Sequence, residues 1–207
     1  MIKIDKITGF NEVEKALSGL PHIAKRAIVS AINKIGSQAT TQARRKVREK
    51  YNIKARDLSQ SIKLVRAKGG SNDQLFAVIK GSGKPLSLYK FSPSPKEPPP
   101  QKGVPMKARK RRKVTVKVLR AEGRKRLENA FVARIRGAAT PSIYQRKGNA
   151  RLPIKRLLTV GPAKMFEKHG IPAAQEIVRT KGKDIMLHEI DYYLKRESGL
   201  MPYKRGK

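Results

Sequence analysis

The chain has 207 residues, with 49 Lys and Arg against 15 Asp and Glu, a formal net charge of +34. Its length allows one or two domains, and so much positive charge repels itself and favours contact with polyanions. The absence of cysteine excludes a disulfide framework and thiol chemistry, and no run approaches the ~20 apolar residues that span a bilayer. The opening MIKIDKITGF lacks the apolar stretch of a secretory signal, so a soluble protein made in the cytoplasm is expected. With 38% hydrophobic and 5% aromatic residues, the core is modest, a composition that gains from packing into an oligomer.

In chain order, residues 11–50 read as helix. Ala24, Ile28, Ala31, Ile32, Ile35 and Ala39 recur at three- and four-residue spacing and form one apolar stripe. Pro21 splits the region into a short helix near 11–18, capped by Asn11 with Glu14 three residues on, and a longer helix over 22–50. The second half of the long helix, ARRKVREK, is basic on nearly every side. Asp57 is the expected N-cap of a single helical turn, DLSQSI. Residues 62–68 and 74–80 form a hairpin around the turn cluster GGSND.

The stretch 81–105 holds seven of the 13 prolines. Proline removes a ladder donor and fixes φ, so a long projecting loop is expected rather than strand or helix. KVTVKVLR alternates Val114, Val116 and Val118 with polar residues, the period of a half-buried strand. AEGRKRLEN reads as a turn, AFVARI (130–135) as a strand, the following basic stretch as turn-rich, and LPIKRLLTVG as a strand ending at Gly161. From Pro162 the pattern is helical. Gly170 and Pro172 divide a short helix from a final one whose apolar positions are Ala173, Ile177, Ile185, Leu187, Ile190 and Leu194. Gly182 weakens that helix, and ESGLMPYKRGK reads as a frayed tail. The expected fold class is α+β: a long N-terminal helix, a small antiparallel sheet with a long Pro-rich loop, and a C-terminal helix, with the helices packed on one sheet.

Catalytic signals are weak. His22, His169 and His188 are scattered, and His188, Glu189 and Asp184 read as a solvated helix face rather than metal ligands. There is no G-x-S-x-G elbow, and GSG at 81–83 lacks the helix and Lys-Ser/Thr of a phosphate cradle. The acids stand mostly beside Lys or Arg, without the converging carboxylates of metal-dependent nuclease or ligase chemistry. No enzymatic activity and no cofactor are expected.

Charge is the remaining signal. KARKRRK (107–113) places six cations in seven positions, Lys107, Arg109, Lys110, Arg111, Arg112 and Lys113, at the entrance to the VTVKV strand. Arg44, Arg45, Lys46 and Arg48 form a second cluster on the long helix. Both are candidate contacts for nucleic acid or for an acidic partner. Phosphate-directed Lys and Arg bind with strong salt dependence and little sequence preference. No helix-turn-helix, zinc-finger or RRM-type pattern indicates base readout, and Tyr89 and Phe91 read as core or loop packing rather than a stacking platform.

RAIVSAINKIGSQATTQARRKVREKYNIKARDLSQSIKLVRA resembles the opening of minor tail protein Z, the tail completion protein of lambda-like tailed phages. The matching residues are Ala31, Asn33 and Lys34, then Val47, Lys54 and Arg56. The basic run before a strand is similar, as is a later series of Ala130, Phe131, Arg134, Tyr144, Gln145, Arg146, Lys147, Gly148, Arg151, Pro153, Ile154, Thr159, Val160 and Gly161. The likeness covers roughly residues 20–180; the Pro-rich insertion at 92–105 departs from it.

The resemblance implies a structural virion protein at the head–tail joint, in a hexameric ring around the DNA channel. Its implied partners are the tail terminator, tail tube and connector, with non-specific contact to packaged DNA and no membrane. It implies one tail-completion domain over 1–207; the projecting Pro-rich and basic loop over 81–113 is read from the residues themselves. Two other readings stand beside it: a stand-alone nucleic-acid-binding protein, and an enzyme acting on DNA ends.

Overall fold

A computed structural model describes residues 2–4, 21–69, 75–97, 113–135, 138–148, 150 and 152–198. The expected short helix at 11–18 and its Asn11 cap, most of the hairpin turn, residues 107–112 of the basic run and the end of the tail lie outside the described residues.

The chain folds as α+β. Strand β1 (Ile2–Ile4) precedes the 30-residue helix α1 (Pro21–Lys50), which starts on its proline, where the missing N–H costs nothing. A short helix α2 (Ala55–Ser61) leads into β2 (Ile62–Val65) and β3 (Ala77–Gly81). These pair antiparallel from Ile62↔Gly81 to Val65↔Val78, as the hairpin reading expects, and β1 adds to the far side of β3. Asp57 is not the N-cap. Lys54 holds that position without a side-chain cap, and Asp57, inside the first turn, pairs with Lys90.

Helix α1 buries one ridge. Ala27, Ala31, Ile35, Ala39, Ala43 and Val47, each four residues from the last, are all fully buried. Against it lies the C-terminal helical region: α3 (Pro162–Met165), a π turn (Phe166–Gly170) and the 27-residue α4 (Ile171–Glu197). The break expected at Gly170 and Pro172 is this widened turn, through which the helix continues, and Gly182 lies buried within an unbroken α4. Lys34 meets Glu189 and Tyr51 meets His169, so the two long helices run antiparallel. The α4 ridge that meets α1 runs through Ala174, Val178, Gly182, Met186 and Ile190, again four apart. Ridges at this spacing interlock, and small residues bring the axes close. The expected stripe is therefore partly out of phase: Ala173 is buried, but Leu187 is 51% exposed.

The described strands form four small sheets rather than one. Besides β1–β3–β2, β4 (Leu86–Ser87) pairs with β10 (Leu158–Thr159), and β5 (Val114–Val116) pairs with β6 (Lys125–Leu127). The last sheet joins β7 (Ala130–Ala133), β8 (Ser142–Arg146) and β9 (Ile154–Arg156). Two strands, β6 and β8, fall where turns are expected. In β6 only Leu127 packs inward, so no alternation shows; in β8 three consecutive residues, Ser142, Ile143 and Tyr144, are buried, which is not a period of two. Val114, Val116, Val132 and Ile143 make a separate small core under these strands.

The described start of the Pro-rich stretch is not simply loop. Residues Leu88–Lys90 form a 3-10 turn after β4, Phe91 is fully buried, and Ser94 bridges to Thr115. The end of α1 is tied to the same region: Arg120 N donates to Lys50 O at 2.9 Å and Asn52 N to Val118 O at 2.8 Å.

Phe166 sits between two glycines. A Cβ on Gly81 would stand 2.5 Å from its ring, and one on Gly170 would strike the opposite edge. Gly81→Ala should therefore cost about 1–3 kcal/mol through overpacking, read as a fall of about 2–10 °C in thermal melting. Gly123→Ala, where nothing lies within 4 Å, is the control and should melt close to the wild type.

Candidate interaction surface

The helix cations do not form a free cluster. Arg44 is half-buried, and its Nε donates to Ile62 O at 3.2 Å, closing the outer edge of β2. Arg45 and Lys46 both pair with Glu49 at 3.1 Å, one turn away on the same face. Such exposed pairs are screened by water and add little to stability. Arg48 is exposed, without an ion-pair partner among the described residues. Of the run at 107–113, only Lys113 is described; it stands exposed immediately before β5. Nearby, Arg124 joins the start of that region by donating from Nε to Thr115 Oγ1 at 3.2 Å and from its terminal nitrogen to Ser92 O.

Several of the quoted motif residues take structural roles. Asn33 reaches from α1 to the chain just past β2: its Nδ2 donates to Ala67 O at 3.1 Å, and Ala67 N donates to its Oδ1 at 2.8 Å. One side chain thus completes a backbone pair and fixes the helix against the sheet. Lys34, on the next position, donates to Glu189 from across the helix pair. In the later series, Tyr144 stacks obliquely on Phe131 with centroids 6.1 Å apart, and the Arg146 guanidinium lies 5.1 Å over the Phe131 ring. A cation over an aromatic face contributes about 0.5–1 kcal/mol at a partly exposed site. Gly161 is needed by contact: a Cβ there would sit 3.2 Å from the carbonyl oxygens of Gly83 and Lys84. Tyr89 and Phe91 pack as expected, with Tyr89 OH donating to Lys96 O at 2.9 Å.

Glu189 is the residue that sequence reasoning missed. It was assigned to a solvated face, yet it is 1% exposed in the α1–α4 interface. Its carboxylate accepts from Ser30 Oγ at 2.6 Å and from Lys34. Burial pushes its pKa up most strongly, but the Lys34 and Ser30 hydrogen bonds and the charges of Lys34 and His188 together hold it below the ordinary range. Nothing in the sequence marks it, because its partner Lys34 is itself exposed at the margin of the α1 stripe. Among the described residues no group of His, Cys, Asp or Glu could hold a metal ion. Nor is any described helix long and apolar enough to cross a membrane.

A family model for prophage minor tail protein Z (GPZ) matches residues 7–197. The chain belongs to that family. It is thus a structural protein of a phage tail and a virion component, and its partners are other tail proteins. No curated protein and no solved structure matches it. In this tail protein, Ala31, Asn33, Lys34 and Val47 of the resemblance lie on the face of α1 that builds the core or ties down its neighbours, whereas Lys54 and Arg56 are exposed.

Glu189 and His169 give the tail protein a predictable acid response. The pKa of His169 is lowered by burial and then by the charges of Lys168 and Lys50, beside the Tyr51 ring. Both folded pKa values lie below the unfolded ones, so both contributions are present above the unfolded pKa and are lost as pH falls. Stability should begin to decline below about pH 6.5 through His169 and fall further below about pH 4.3 through Glu189. Glu189→Gln should shrink the lower step in urea denaturation measured against pH, leaving the part due to Glu49, whose carboxyl is also held low by Lys46 and Arg45. Lys34→Met, which leaves the carboxylate with Ser30 alone, should cost about 1–3 kcal/mol at neutral pH.

Proposed function

We propose that this protein completes the head-proximal end of the tail, as one subunit of a hexameric ring around the DNA channel, and performs no catalysis. Family membership supplies the tail. The observation that carries the rest is the one-sided charge balance. Five described acids are already engaged internally: Glu49 with Arg45 and Lys46, Asp57 with Lys90, Glu122 with Lys125, Glu189 with Lys34, and Asp191 with Lys195. A net charge of +34 therefore has no internal answer, and packaged DNA and acidic tail neighbours are the anions within reach.

In this reading the chain acts as one domain. The stretch 81–113, anchored at Ser87, Phe91 and the Ser94–Thr115 bridge, presents the basic run to DNA or to a neighbouring subunit. Arg48 and Lys113, both exposed, are further contacts for the same anions, while Arg44, Arg45 and Lys46 serve only after their internal contacts yield.

Cryo-electron microscopy of assembled particles tests the placement: density for this chain is expected at the head-proximal end of the tail, and its location at the distal tip would overturn the reading. The basic run is tested separately by changing Arg109, Lys110, Arg111 and Arg112 to Ser. If all four meet phosphate, the log–log salt slope of DNA affinity should fall by about 3.6. An unchanged slope would assign the run to protein docking.

A further inference from the structure

We propose that the outer face of the β1–β3–β2 sheet, centred on Lys63 and Lys80, is a second contact for the sugar-phosphate backbone of DNA. The proposal rests on the channel reading above. Lys63 and Lys80 are partners in register on neighbouring antiparallel strands, and both side chains are exposed. Among the described ladders this is the only pair of like charges set directly opposite each other. Such a pair destabilises a sheet. Neither lysine has an ion-pair or hydrogen-bonding partner among the described residues. On the same face, Val65 is 43% exposed, and Lys3 holds the register position opposite Val78. Arg44 and Asn33 fasten this sheet to α1 from the other side, so the face is presented by a fixed scaffold.

The chemistry favours nucleic acid over protein. Protein interface cores are depleted in lysine and rich in aromatic residues, whereas this face offers the exposed Lys63 and Lys80 beside one exposed valine, Val65. Lysines on a flat sheet suit a repeated phosphate without reading bases, which DNA sliding through a channel requires.

The test compares two variants with equal loss of charge: Lys63→Ser with Lys80→Ser on the sheet, and Lys181→Ser with Lys183→Ser on α4. Duplex DNA affinity is measured over a salt series with the full chain. The sheet variant should lose about 1.8 from the log–log slope, with the helix variant changing less. The sheet variant should also melt no lower than the wild type, since a repulsion has been removed. Lys80→Glu, which converts the pair to opposite charges, should raise the melting temperature by about 1–3 °C while weakening DNA binding. Equal slope changes in the two double variants, or an unchanged sheet-variant slope while the wild type binds DNA, would overturn this face and leave the proposed function standing. Lysine-dependent capture of an acidic tail protein with no slope change would reassign the face to docking. Failure of the wild type to bind DNA in a salt-dependent way would overturn the channel reading itself.

Discussion

Close packing of α1 on α4 is the constraint from which the other elements take their places. A ridge built mainly of alanine on one helix, and one containing Ala174 and Gly182 on the other, allow the backbones to approach more closely than leucine ridges would. Every other layer is attached to α1. Gly36 admits Leu64 of β2, since a Cβ there would meet the Leu64 side chain at 2.9 Å. Asn33 clamps the backbone beyond β2, Arg44 covers its edge, and the last carbonyl of the helix receives Arg120 from the strand region. The small core of valines and Ile143 sits farther out and depends on these ties for its position.

The same packing explains why the buried carboxylate survives. An acid in a helix interface is costly unless paired and hydrogen-bonded. Glu189 has both, from two residues one turn apart on α1. Lys34 remains half in water, so its own desolvation is partial, and its stem reaches inward to the acid. Ser30 and Lys34 are met together in one helix register: a shift of one turn would put Arg26 or Gln38 in place of one of them. The pair therefore fixes alignment as well as joining the helices.

This distinction also separates what the sequence made legible from what it hid. α1, β2 and the valine strand β5 are readable because one side of each is buried and its apolar residues keep a clean period, and β3, buried at three successive residues, is readable as a short apolar run bounded by turn signals. The phase of α4 was hidden because Ile185, Leu187 and Ile190 look alike in sequence, and only a partner helix decides which lies inside. Glu189 sat between His188 and Ile190 in what resembled a polar face, and nothing local marked it as buried. β6 and β8 were missed for opposite reasons: one packs too few residues inward, the other too many in succession. The helix cations were found by composition, but composition could not show that Arg44 spends its guanidinium on a carbonyl, or that Glu49 engages two of its neighbours.

The charge is distributed unevenly, and that has a thermodynamic consequence. Along α4 itself, Arg179, Lys181, Lys183, Lys195 and Arg196 are matched by Glu176, Asp184, Glu189, Asp191 and Glu197. The surplus therefore lies elsewhere, on α1, the small sheets and the basic run. Cations held on a folded scaffold repel one another more than the same cations on an extended chain, so the free subunit bears the electrostatic penalty and is stabilised by salt. An anion that binds only the folded form removes that penalty and adds stability by mass action. Folding, docking and any contact with DNA are thus linked through one set of charges. The subunit is least stable alone at low salt and gains stability from any anion that binds its folded form.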